Sequence, residues 1–149
     1  TGLHFCANTM TELGGRIVKT IGDAVMFAVD DAHTAASIAL ALSDACAAEI
    51  LLPDVRIGLA VGPTVAYEGD IFGQTVNLAS RLVTLARPRT VLLSDELGIE
   101  LATDAAFTLH RLRPKLKGLG RVQAWVVRPA TADDLRKREK TRGRKPAST

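Results

Sequence analysis

Cysteine is scarce in this 149-residue chain, and the little there is excludes two classes of small fold. Cys6 and Cys46 form no CxxC and have no histidine cluster nearby, so neither a disulfide framework nor a zinc site is indicated, and a reducing cytoplasm is the expected compartment. No apolar run approaches the ~20 residues of a membrane-spanning helix. No signal peptide and no internal repeat are visible. The chain also lacks an initiating Met. It opens on Thr1, from which further residues ahead of it are expected.

A basic excess is missing from most of the chain, although the pI is about 9.1. Asp133 to Thr149 holds seven Lys and Arg against three acids, whereas the first 132 residues carry a net charge of −1. The nucleic-acid signal in the pI is therefore a property of the tail. Residues 131–149, with no large apolar side chain after Leu135, are expected to be a disordered, solvated end rather than a nucleic-acid arm. Residues 1–130 make one domain. A chain of this length buries roughly two thirds of its unfolded surface and needs no staples.

The apolar pattern alternates between periods. Leu3 to Leu13 reads as the end of a helix stopped by Gly14-Gly15. Arg16 to Lys19 and Ala24 to Val29 flank a turn, TIGD, giving a β-hairpin with Gly22-Asp23 at its tip. From Asp31 to Ile50 the spacing of Ala35, Ile38, Leu42, Ala45 and Glu49 predicts an amphipathic helix, with Asp30 and Asp31 suited to its start and Pro53 beyond its end. Val55 to Val61 and Val65 to Tyr67 read as strands around Gly62-Pro63. A helix from Gly73 to Leu85, a strand from Thr90 to Leu93 and a short helix opening at Ser94 or Asp95 follow. Phe107 to His110 and a hairpin, KLKGLGRVQAWVV, turning at Gly118 to Gly120, close the domain. This order implies a layered α+β fold, an antiparallel sheet with helices on one face.

Several polar residues stand out against it. In GDIFGQTVNLASR, residues 69 to 81, Asn77 and Arg81 lie four apart and so share a helix face, next to the carboxylate of Asp70 at the helix entrance. Taken alone they are either a converging hydrogen-bonding patch or a cap and a surface ion pair. Asp23 at a hairpin tip is either a turn former or a ligand for a hard cation. Lys19, in the apolar stretch IVKTI, either snorkels to the surface or serves a site. Lys117, before Gly118-Leu119-Gly120, is either a solvated hairpin charge or a point charge for a phosphate.

Together, GGRIVKTIGDAVMF, RIGLAVGPTVAYEGDIFGQTVNLASRL and LKGLGRVQAWVV resemble, in order and spacing, the class III nucleotidyl cyclases over about residues 3 to 128. The resemblance implies a ferredoxin-like (βαββαβ-type) fold and conversion of ATP to 3′,5′-cyclic AMP and pyrophosphate. It makes Asp23 a ligand of two catalytic divalent cations, Mg²⁺ or Mn²⁺. Lys19 and Asp70 become the pair that reads the purine base, Asn77 and Arg81 the pair that steadies the ribose and the transition-state phosphate, and Lys117 the lysine on the terminal phosphates. Adenine offers an acceptor at N1 and a donor at its 6-amino group, which a lysine and a carboxylate match, so ATP is expected over GTP. The resemblance also implies a homodimer, each site taking its metal ligands from one protomer and the base-reading and Asn/Arg residues from the other.

The N-terminus departs from the family pattern, which begins with a strand and turn carrying a first metal-binding Asp. Only 22 residues precede Asp23, and none of them is Asp. The first strand is thus expected to be missing from this chain. The alternative to an active domain is a truncated homologue that binds nucleotide or dimerises without turnover.

Overall fold

The computed structural model describes residues 2–67, 70–113, 115–116, 120–121 and 123–143. Helix α1 (Gly2–Glu12) ends where glycine permits it: Gly14 takes φ +97°, and the Gly15 amide donates back to the Met10 carbonyl at 3.0 Å. Strands β1 (Arg16–Ile21) and β2 (Ala24–Ala28) then form the expected hairpin. Ile21 pairs with Ala24 across a two-residue turn whose first central position, Gly22, has the positive φ (+57°) that such turns require. A bulge between Ile17 and Lys19 interrupts the register. Bulges bend a strand and re-aim the side chains beside them, here that of Lys19.

Helix α2 (Ala32–Ala48) is capped by Asp31, whose carboxylate accepts from the Thr34 amide at 2.8 Å and from its hydroxyl at 2.7 Å. Its buried residues are Ala36, Ile38, Ala39, Leu42, Ser43 and Cys46. Ile38 and Leu42 lie on the expected stripe, but Ala35 and Ala45 are only half-buried and Glu49 is exposed. Alanine on every side of this helix blurs the period that a sequence reading depends on.

The remaining elements are β3 (Arg56–Leu59), β4 (Val65–Tyr67), β5 (Asp70–Phe72), α3 (Gln74–Leu85), β6 (Thr90–Ser94), α4 (Asp95–Leu101), β7 (Phe107–Leu112), the short pair β8 (Lys115–Leu116) and β9 (Gly120–Arg121), β10 (Ala124–Pro129) and α5 (Ala132–Arg142). The central sheet has the order β3-β6-β10-β7. β10 runs antiparallel to both neighbours, as expected, while β3 runs parallel to β6, so the sheet is mixed. The class is α+β.

The expectation of helices on one face is corrected. Alternation along the strands sends Ile57, Leu59, Val91, Leu93 and Val127 to one side, where they join residues of α1, α2 and α4 in the larger core. Leu92 and Ala124 point to the other side and pack with Leu82 and Ala86 of α3 and the residue that follows it. Both faces of the sheet are therefore covered, which is why TVLLS reads as a continuous apolar run rather than an alternating one. Gly58 sets how closely α3 approaches: a Cβ there would lie 2.6 Å from the Ala79 carbonyl oxygen and 2.8 Å from Leu82 Cβ.

The expectation of a disordered tail from residue 131 is corrected over Ala132–Arg142, which is helical. Thr131 and Asp134 form a reciprocal capping box, with acids in the first turn and Lys140 and Arg142 in the last. Asp134 also accepts from the Thr108 hydroxyl at 3.0 Å, and the Arg138 guanidinium donates to the carbonyls of Phe107 and Asp104. Composition carries none of these position-specific contacts.

His33, at the start of α2, lies 2.6 Å from the Asp104 carboxylate, and its ring meets that of Phe107 at a centroid distance of 5.2 Å and a tilt of 51°. The hydrogen bond to Asp104 raises the His33 pKa, and the same bond lowers that of Asp104. A raised histidine stabilises the fold fully below its ordinary value of about 6.5, and that contribution disappears as pH rises through the folded pKa. The carboxylate's contribution is present above its ordinary value and is lost on acidification. The difference in melting temperature between this chain and a His33→Asn variant should therefore be largest near pH 5 to 6 and shrink toward pH 8. A difference independent of pH across that window would show that the pair is not charged in the folded state.

Candidate active site

Chain direction brings two distant polar residues into contact. β4 and β5 form a separate antiparallel arm, with Val65 opposite Phe72 and Tyr67 opposite Asp70. Asp70 and Phe72 are two apart on β5 and so share a face. Against that face lies Lys19 of β1: its Nζ is 2.5 Å from Asp70 Oδ2 and 5.6 Å from the centre of the Phe72 ring. The ammonium thus meets a carboxylate and an aromatic face at once. Lys19 is 36% exposed and Asp70 24%, so the pair stays open to a ligand. An exposed ion pair of this kind adds little stability. Its effect is to fix one donor and one acceptor side by side.

Asp70 sits on β5, four residues ahead of α3, and not at the helix entrance as the sequence suggested. The N-cap of α3 is Gly73, at φ +132°, with no side-chain cap. Thr75 closes this end instead, its hydroxyl donating to the Pro63 carbonyl at 3.0 Å. Along α3, Leu78, Leu82 and Ala86 turn inward at helical spacing, which leaves Asn77 and Arg81 exposed on the outer side. Asp23 is exposed at the β1–β2 turn. Among the described residues, no hydrogen bond or ion pair joins Asp23, Asn77 or Arg81 to one another. Lys117 lies outside the described residues.

Three features were missed in the sequence. Phe72 contacts Lys19, and the two-residue alternation from Asp70 could have found it. Cys6 and Cys46, 40 residues apart, are neighbours, and no local signal predicts that. A cleft of about 770 Å³, lined by Val65, Phe72, Thr75, Leu78 and Asp95 among others, opens beside the arm, where Val65 and Tyr67 are each 65% exposed and Phe72 49%.

A family model described as the adenylate and guanylate cyclase catalytic domain matches residues 5–129. The chain belongs to this cyclase family. Among its relatives, an adenylate cyclase of Streptomyces coelicolor is 46% identical over 95 residues, which is 64% of this chain and 25% of that protein. An adenylate cyclase of Glutamicibacter nicotianae is 39% identical over 123 residues, covering 82% of this chain and 30% of that protein. The chain thus spans about a quarter of the length of the curated cyclases it matches. Among solved structures, an adenylate/guanylate cyclase/hydrolase from Silicibacter pomeroyi superposes with a TM-score of 0.71 at 28% identity, over 85% of this chain and 79% of that one. The catalytic core of a rhodopsin-guanylyl cyclase with converted specificity, in complex with ATPαS, gives a TM-score of 0.75 at 26% identity, over 87% and 80%. The cyclase fold is therefore that of the whole body of the chain. No described helix is long and apolar enough to cross a membrane.

Proposed function

We propose that this cyclase-family domain forms 3′,5′-cyclic AMP and pyrophosphate from ATP at sites shared between two copies. The observation that carries the reading is the Lys19–Asp70 contact, 51 residues apart in sequence and joined at 2.5 Å. A lysine that donates to N1 and a carboxylate that accepts from the 6-amino group complement adenine, and guanine presents the reverse pattern at both positions. Lys19→Ala and Asp70→Ala should each narrow the ATP-over-GTP ratio of kcat/KM by ~10²-fold, because polar groups that a bound base covers reject the base that leaves them unpaired. A ratio unchanged within about threefold would remove the pair from base reading.

The donor set fits Mg²⁺ or Mn²⁺. Such ions are held by one or two carboxylates and complete their shell with water and substrate phosphates. Asp23 supplies an exposed carboxylate on a hairpin turn; among the described residues no group of three or more His, Cys, Asp or Glu could hold a metal by itself, so substrate phosphates and water would complete the shell. Bound ions would supply activation of the ribose 3′-oxygen and neutralisation of the leaving pyrophosphate. The chain's own residues do the rest. Asn77 orients the ribose by hydrogen bonds, Arg81 presents a planar fork of donors to the α-phosphate as charge develops, and Lys117 holds the terminal phosphates. Positioning supplies most of the acceleration.

One feature supports a homodimer: the arm's Val65, Tyr67 and Phe72 leave apolar surface uncovered. The alternative reading is a nucleotide-binding or dimerisation module without turnover. Cyclic nucleotide formation with ATP, GTP and excess Mn²⁺, measured beside the light-scattering mass, separates the two. Cyclic AMP formed only by the dimer supports turnover. A folded dimer that binds ATP and yields no product supports the second.

A further inference from the structure

The only two cysteines of the chain lie on different helices with their sulfurs 3.5 Å apart, Cys6 on α1 and Cys46 on α2. Both are free thiols. They differ in access: Cys46 is 1% exposed, whereas Cys6 is only partly buried. Burial, and then the contact with Cys6, pushes the Cys46 thiol up to about 12, so it stays protonated at neutral pH and is not where an oxidant first reacts. α1 also packs on both strands of the β1–β2 hairpin, which carries Lys19 and Asp23.

We propose that Cys6 and Cys46 are a peroxide-oxidisable pair whose disulfide ties α1 to α2 and stiffens the hairpin that α1 covers. In the first step the Cys6 sulfur attacks one oxygen of hydrogen peroxide. The O–O bond breaks, hydroxide leaves and takes the thiol proton as water, and Cys6 becomes a sulfenic acid. In the second, the Cys46 sulfur attacks the Cys6 sulfur. The S–O bond breaks, hydroxide leaves with the Cys46 proton as a second water, and the S–S bond forms. Two thiols are oxidised by two electrons, and one peroxide is reduced to two waters. The sulfurs have about 1.5 Å to close to reach bonding distance. Cys46 here is the resolving thiol, held ready where the oxidant does not reach.

The experiment treats the reduced full chain with a small excess of hydrogen peroxide, then with iodoacetamide under denaturing conditions, and reads the intact mass and the digest. The expected product is about 2 Da lighter than the reduced chain, takes no alkylation, yields one Cys6–Cys46 cross-linked peptide and reverts with dithiothreitol. In that product, amide exchange across Arg16–Ala28 should slow by about threefold or more, because closing the loop removes open states. A Cys46→Ala variant should accumulate oxidised Cys6 with no change in hairpin exchange. Overoxidised Cys6 beside an alkylatable Cys46 in the natural chain, or cross-links only between copies, would overturn the pair. Cross-linking without slower hairpin exchange, or equal slowing in Cys46→Ala, would overturn the tie. None of these readouts depends on cyclase activity, so their failure is distinct from failure of the functional reading.

Discussion

Replacing Asp23 with alanine is expected to lower cyclic AMP formation by about 10³-fold while leaving the fold intact. The loss follows from chemistry: a carboxylate that holds an ion beside the developing charge matters most in the transition state, and removing one such preorganised group commonly costs ~10²- to 10³-fold. The intact fold follows from structure. Asp23 is exposed, and the turn's unusual backbone conformation falls on Gly22 at φ +57°, not on Asp23. Two measurements make the case: turnover with Mn²⁺ and ATP, and Mn²⁺ affinity in the presence of an ATP analogue lacking the 3′-hydroxyl. The variant should bind Mn²⁺ at least tenfold more weakly in that complex, with an unchanged far-ultraviolet spectrum. Unchanged Mn²⁺ affinity would return Asp23 to the role of a turn former.

Leu82→Ala should destabilise the chain by about 3–4 kcal/mol, within the range for fully buried leucines. Leu82 is 0% exposed at the centre of the smaller core, between Leu92 and Ala124 of the sheet and the rest of α3. Its neighbours are strands, which cannot slide inward to fill the space without breaking their ladders, so the cavity term is retained. On the outer side of the same helix stand Asn77, five residues before Leu82, and Arg81, directly before it. Urea unfolding with an unchanged m-value gives the number directly. A cost below about 1 kcal/mol would mean that α3 is not seated on the sheet as described, and with it the placement of Asn77 and Arg81.

The β1–β2 hairpin and α3 were legible because each rests on local chemistry, a Gly-Asp turn between two apolar segments and apolar residues at helical spacing. Lys19 and Asp70, which the family resemblance paired only as base readers, lie in contact at 2.5 Å. What was not legible depends on non-local packing. That α3 covers the opposite face from α2 cannot be read from Leu92 and Leu93, since two adjacent leucines are equally apolar whichever core each enters. The parallel β3–β6 pairing follows from the path of the intervening chain, which no spacing encodes. Helix α5 was hidden by its charge, since average composition favours disorder while a capping box and one anchored arginine favour a helix.

The sheet buried on both sides has a consequence for how β3 finds its partner. In a one-sided sheet, a shift by one residue exposes apolar side chains and buries polar ones, so polarity alone forbids it. Here the slip that carries Leu59 toward Gly58 would bring only Gly58 and Ala60 under the larger core and polarity would scarcely object, whereas the opposite slip would also bury Arg56. Size decides instead. A one-residue slip of β3 puts Ile57 or Leu59 where Gly58 now lies, against a helix backbone that leaves only 2.6 Å to a bare Cβ. The alignment of this strand is thus selected by steric exclusion at a single position, a lock whose key is a missing side chain.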